Sequence, residues 1–219
     1  MKIGVISDTH GWVDPVVYEH FAGVDEIWHA GDAGNAEVIA LLEAFKPLRA
    51  VWGNIDGFDV RKATKEYLFF RAGLKDVLMI HIGGYPGRYS PRALELISQL
   101  KPDIFVCGHS HIVKVIFDKT HRMLCINPGA AGRTGVRCPV LGDLAALRLS
   151  VGRLDPGSPA ARARHRGAHR TRPAADQRDR PAAGRAARFR RVLQAARRGH
   201  HDPQPAAAQR APDLGRHRR

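Results

Sequence analysis

Apolar residues recur along the amino-terminal part of this chain in short runs, and each run ends in a side chain able to hold a metal ion. Residues 2–7 read as a buried strand that delivers Asp8-Thr9-His10, and residues 26–29 as a second that delivers Asp32 through Ala30 and Gly31. Residues 49–52 lead in the same way to Gly53-Asn54, residues 77–80 to His81, and residues 103–107 to Gly108-His109-Ser110-His111. Helical periodicity lies between the runs. Asp14-Pro15 opens a helix to about residue 22, Asn35 caps one over 36–46 stopped by Pro47, and Ser90-Pro91 opens a third reaching 101 before Pro102. Residues 67–71 with 77–81, and 112–117 with 122–126, read as hairpins, and residues 144–151 as a weakly alternating final strand. Hairpins mixed with strand-helix alternation predict an α/β fold with mixed sheets.

Five strand ends that each present a donor can converge, because ligands of open α/β sheets bind in the crevice beyond the carboxyl ends of the strands. Any one stretch alone is bland: Gly-Asp and Gly-Asn are ordinary turn dipeptides. Their order, each at a strand end, makes coincidence a poor account. Imidazoles mixed with oxygen donors suit a divalent transition metal better than Mg or Ca, which favour all-oxygen shells. Asp32, between the outer clusters, is the candidate to bridge two ions. His20, His29 and His121 receive structural readings, on a helix surface, in a strand near the site and in a hairpin turn. The Gly-rich stretch from Gly83 to Tyr89 is either a flexible connection or a substrate loop. In the second reading Arg88 pairs with a phosphate oxygen, and Tyr85 or Tyr89 stacks on an ester group.

Together these motifs resemble the calcineurin-like metallophosphoesterase superfamily, in particular its small prokaryotic phosphodiesterase branch, over residues 1 to about 132. The resemblance implies a two-sheet α/β/α sandwich. It implies that Asp8, His10, Asp32 and His111 hold one metal, that Asp32, Asn54, His81 and His109 hold another, and that Asn127-Pro128-Gly129 forms a loop near the site. The reaction expected is phosphodiester hydrolysis by a hydroxide bridging two divalent ions, Mn²⁺ first and Fe, Zn or Ni otherwise, with Asn54, His109 and Asp56 as catalytic candidates. Asp56 would orient a metal ligand, or else serve as an ordinary turn or cap residue. Larger members place a His directly after the metal-binding Asn. Here that residue is Ile55, as is common in the small branch, and it leaves no evident general acid. The same fold also serves as a non-catalytic scaffold in the retromer coat, with a degraded metal site, whereas every ligand position here carries a competent donor. A nuclease is the third reading.

Charge bears on that third reading only after the chain is divided. The whole carries +14, but residues 1–151 hold 17 basic and 16 acidic side chains, whereas residues 152–219 hold 18 Arg against 5 Asp. A near-neutral body argues against a polyanionic substrate and favours a small phosphodiester. The expected organisation is therefore a catalytic domain over 1–151 and an Arg-, Ala- and Pro-rich tail over 152–219. That tail has no Lys, Glu or Ile. It reads either as an out-of-frame translation of a GC-rich gene, a reading that can extend back to about Gly135, or as a disordered basic arm for nucleic acid or acidic surfaces. A natural arm usually mixes Lys with Arg, which favours the first. No apolar run is long enough to span a membrane and none resembles a leader, so a cytoplasmic protein is expected, with a homo-oligomer left open. Cys107, Cys125 and Cys138 are odd in number and read as reduced thiols.

Overall fold

Alternation along the strands decides the layering, because successive side chains of a strand point to opposite faces. The computed structural model describes residues 1–132 and 146–150. One sheet has the order β11-β1-β2-β3, built from β1 (Lys2–Ile6), β2 (Glu26–Ala30), β3 (Leu48–Val51) and β11 (Ala146–Ser150). The other has the order β4-β5-β8-β10-β9, built from β4 (Tyr67–Ala72), β5 (Lys75–Ile80), β8 (Ile104–Val106), β9 (Lys114–Asp118) and β10 (Met123–Asn127). Ile3, Val5, Trp28, Ala30 and Val51 of the first sheet meet Val77, Met79, Ile104, Val106 and Ile126 of the second in one buried cluster. The sheets therefore pack face to face.

The alternate residues face outward onto helices. Ile6 and Ile27 pack with Val17 of α1 (Pro15–His20), Leu42 of α2 (Ala36–Phe45) and Val60 of α3 (Phe58–Ala63). Leu78, Ile80, Phe105 and Met123 pack on Ala93, Leu96 and Ile97 of α4 (Pro91–Leu100). This is the two-sheet α/β/α sandwich that the family resemblance implies, with the mixed sheets that the sequence pattern predicts. Both sheets are mixed: β1, β2 and β3 run parallel with β11 antiparallel beside β1, while β5, β8 and β10 run parallel between antiparallel β4 and β9.

Caps stand where the sequence puts them: the side chains of Asp14, Asn35 and Ser90 accept from Val16, Val38 and Ala93 backbone N–H groups. Two elements were not expected. Helix α3 buries only Val60 and leaves Phe58 77% exposed, so it lacks an apolar periodicity to read. The Gly-rich stretch folds into a small hairpin of β6 (Gly84–Tyr85) and β7 (Arg88–Tyr89) around Pro86-Gly87. The tail at 152–219, its expected disorder or altered frame, and Cys138 lie outside the described residues. Among the described residues no helix is long and apolar enough to cross a membrane.

His29 gives the sheet a pH-sensitive point. It is fully buried, its Nδ1 accepts from Gly31 N–H at 3.2 Å, and its Nε2 therefore carries the proton and donates to Thr9 Oγ1 at 3.0 Å. The Thr9 hydroxyl in turn donates to Ala33 O. Burial pushes the imidazole down to about 4, against the partial opposition of Asp56. The unfolded chain takes up this proton near pH 6.5 and the folded chain resists until about 4. Stability due to this residue is thus complete above pH 6.5 and is lost as pH falls toward 4, on the order of 3 kcal/mol in full. Urea unfolding of the chelator-treated chain at pH 7.5 and 4.5 checks this: His29→Gln should lose markedly less stability between the two than the parent does.

Candidate metal centre

The parallel strands of both sheets end on the same side, and the donors gather there. Asp8, His10 and His111 form one group and Asp32, His81 and His109 a second, with the donor atoms of each group within 4.8 Å of one another. Asn54 joins the second, its Oδ1 3.1 Å from His81 Nε2. Asp8 Oδ1 links the groups, at 3.3 Å from His111 Nε2 and 4.0 Å from His81 Nε2. Asp32 Oδ2 is 3.2 Å from His81 Nε2, and its carboxylate also feels the field of His10. The structure thus brings together all seven residues expected to hold metal.

The backbone bends sharply at these positions. Among the described residues seven that are not glycine have positive φ, and five of them are Asp8, His10, Asp32, His109 and His111, at 48° to 68°. Left-handed backbone is sparsely occupied by non-glycine residues, Asp, Asn and His being the most tolerant, and it clusters at functional sites. The other two, Lys101 and Arg122, close a helix and turn a hairpin. The neighbouring glycines leave no spare room. A Cβ on Gly53 would stand 2.0 Å from Asp32 Oδ1, one on Gly31 2.6 Å from His81 Nδ1, and one on Gly108 2.0 Å from Ser7 Oγ and 2.8 Å from Asp8 Oδ2.

Supporting contacts fix each donor. His81 Nδ1 lies 2.8 Å from Ala30 O and donates to it, which turns the Nε2 lone pair toward Asp32 and Asn54. Asp8 accepts from the Ser7 hydroxyl and from His109 N–H. Asp56, buried, accepts from the backbone N–H groups of Ala33, Gly34 and Gly53 at 3.2, 2.7 and 2.8 Å, tying the loop of Asp32 to that of Asn54. The N-cap of α3 is Gly57 rather than Asp56. Asn127 donates to Gly108 O and Ser110 Oγ and accepts from Gly129 N–H, which brings the Asn127-Pro128-Gly129 turn against the His109 loop.

The electrostatics of the donor set suit a cation. Burial raises the Asp8 carboxyl, outweighing its Ser7 hydrogen bond and its imidazole neighbours. Burial pushes Asp32 the same way, but contacts with His81 and Ile55 N–H carry it below the usual carboxylate range. His81 is pushed down by burial and more strongly raised by Asp32, the Ala30 carbonyl and Asp8. The two carboxylates beside His81 thus favour positive charge at this point. His10 Nε2 and His111 Nε2 face each other at 3.2 Å, a contact that two bare lone pairs cannot make without a proton or cation between them. Imidazole, carboxylate and amide oxygen in this arrangement fit a divalent metal ion.

Of the expected substrate residues, Arg88 is exposed and Tyr85 is 38% exposed, its ring 3.7 Å from Lys114 Nζ. Tyr89 is turned inward: its hydroxyl donates to Asp118 at 2.6 Å, and its ring meets Phe105 and His121 edge to face. Sequence reasoning did not single out Lys114, since nothing in its neighbourhood along the chain signals the approach to Tyr85. Nor did it foresee Asp56 as a clamp on two loops, though an acidic residue directly following a donor loop is a fair signal for one.

The model of the calcineurin-like phosphoesterase superfamily domain matches residues 1–145. A probable metallophosphoesterase of Methanothermobacter thermautotrophicus is 32% identical over 139 residues, covering 59% of this chain and 77% of that protein. Another, of Methanocaldococcus jannaschii, is 31% identical over 159 residues, covering 69% and 76%. Among solved structures, a Vps29 mutant of Entamoeba histolytica superposes with a TM-score of 0.55 at 20% identity, over 69% of this chain and 87% of that one. Vacuolar Protein Sorting 29 of Cryptosporidium parvum superposes with 0.50 at 22% identity, over 60% and 75%.

Proposed function

Because the chain belongs to the calcineurin-like phosphoesterase superfamily, we propose that it is a phosphodiesterase working with two divalent metal ions, Mn²⁺ foremost, on small phosphate diesters. One observation carries this reading: two donor groups, each compact to within 4.8 Å, meet at strand ends whose backbone is held in the left-handed region. Asp8, His10 and His111 would hold one ion, and Asn54, His81 and His109 the other, with Asp32 between them. When bound, such a pair supplies an activated hydroxide and stabilises the charge that develops on the phosphoryl oxygens. The chain's own part is to fix these donors, through the Ala30 carbonyl on His81, Ser7 on Asp8 and Asp56 across the two loops.

Ile55 adjoins Asn54, is 47% exposed and cannot give up a proton. The leaving group must therefore depart with little help, so esters of acidic phenols should be cleaved at least about a hundredfold faster than alkyl esters. The test is release of p-nitrophenol from bis(p-nitrophenyl) phosphate by chelator-stripped chain with Mn²⁺ restored, alongside a dialkyl phosphate. No metal-dependent hydrolysis of either would overturn the proposal in favour of a scaffold. Equal rates would mean that another residue supplies the acid. The likeness to Vps29 is one of fold and does not favour the scaffold reading. The near-neutral body, 17 basic against 16 acidic residues, supports a small substrate over nucleic acid.

A further inference from the structure

A cavity of about 260 Å³ opens beside His109, walled by the β6–β7 hairpin on one side and by the first residue of β9 on the other. Its charge is one-sided. Arg88 and Lys114 line it and no acidic side chain does. Among the described residues neither cation has a carboxylate within ion-pair distance: Lys114 rests on the Tyr85 ring, and Arg88 is exposed. The same cavity offers Tyr85 and Ile82 as apolar surface, 38% and 43% exposed, and Ser110 as a polar group. His109 belongs both to this lining and to the donor group with Asp32 and His81. A phosphate held at that group would therefore place one of its ester arms in the cavity.

We infer that this cavity selects the substrate's ester arm, and that the arm it takes is a sugar-sized ring carrying a second, terminal phosphate. This rests on the phosphodiesterase reading. A volume of about 260 Å³ has room for one ring and a phosphate. Arg88 and Lys114 line the recess with no carboxylate on either, so a terminal phosphate would meet an electrostatic demand that a neutral arm leaves unmet. Tyr85 and Ile82 offer apolar area to the ring. Lys114, brought within reach from a different sheet strand than Arg88, is a specificity residue that neither donor group includes.

The test uses the full chain with Mn²⁺ and a matched pair of substrates, thymidine 5′-(p-nitrophenyl phosphate) and the same compound bearing a 3′-phosphate. Hydrolysis adds water across the bond from phosphorus to the aryl oxygen, releasing p-nitrophenol and leaving thymidine 5′-phosphate or thymidine 3′,5′-bisphosphate. The 3′-phosphorylated substrate should show kcat/KM at least about tenfold higher, mainly through KM. In Lys114→Met and in Arg88→Gln that preference should fall to within about threefold of unity. Calorimetric binding of thymidine 3′,5′-bisphosphate to chelator-treated chain should weaken in the same two variants; all proteins compared carry the same Arg-rich tail, so its contribution cancels. Hydrolysis of both substrates without preference, or a preference that survives both substitutions, overturns the pocket and leaves the phosphodiesterase reading standing. Absence of metal-dependent hydrolysis of either substrate overturns that reading instead.

Discussion

Replacing Asp32 with alanine is expected to lower kcat/KM for an aryl phosphodiester at least about a hundredfold and to reduce bound metal from two equivalents toward one or none. Its carboxylate stands 3.2 Å from His81 Nε2 and feels His10 of the other group, so its loss removes a donor that acts on both. A hundredfold loss corresponds to about 2.7 kcal/mol of transition-state stabilisation, within the several kcal/mol that charge neutralisation by a metal pair supplies. Steady-state kinetics with metal analysis decide it, with near-ultraviolet circular dichroism to verify the fold. Activity above about a tenth of the parent's, with two ions retained, would sink the two-metal assignment. Asp32→Asn is the companion variant, since asparagine keeps one oxygen donor and tolerates the backbone; it should retain more metal than alanine but little activity.

A comparable loss is expected from a change that touches no donor. In Gly53→Ala the new methyl would stand 2.0 Å from Asp32 Oδ1 and 2.5 Å from Asp32 N, closer than any real contact, and the second of these is backbone that cannot swing aside. Asp32 must move, and Gly53 leads directly into Asn54, so two donors shift together. A displacement of about 1 Å costs about a hundredfold in a site that depends on position. Gly57→Ala is the control: it lies in the same loop, beyond Asp56, with nothing within 4 Å of an added Cβ, and should behave as the parent. Measuring metal content and kcat/KM for the pair separates crowding at the site from a general response of the loop. Parent-like behaviour of Gly53→Ala would show that the loop yields and that its tight fit is not required.

The donors and the strands that carry them were legible because both leave local marks. A short continuous apolar run ends where a polar donor begins, and this repeats at Asp8, Asp32, Asn54, His81 and His109. The caps of α1, α2 and α4 were legible for the same reason, since Asp, Asn and Ser before Pro or Ala act within three residues. What escaped reading is non-local or short. The left-handed backbone at five ligand candidates leaves no sign in residue type beyond the tolerance of Asp and His. Helix α3 has a single buried residue, Val60, and so no period. Tyr89 could be placed in the mouth of the site by its sequence neighbours, but its hydroxyl is drawn inward by Asp118, which only the pairing of β9 with β10 brings near. The meeting of Lys114 with Tyr85 depends on the same tertiary arrangement.

The five left-handed positions also limit how an inactive form of this protein can be made. Alanine at such a position keeps the Cβ that makes the backbone unfavourable and forfeits the side-chain contacts that hold it there. Clearing Asp8, His10, Asp32, His109 and His111 together would remove all of these contacts from a domain whose whole margin is on the order of 5–15 kcal/mol. Such a protein would report on unfolding rather than on chemistry. Asparagine occupies the same backbone region with far less strain, so a catalytically silent yet intact reference is better built from Asp→Asn and His→Asn exchanges, one or two at a time.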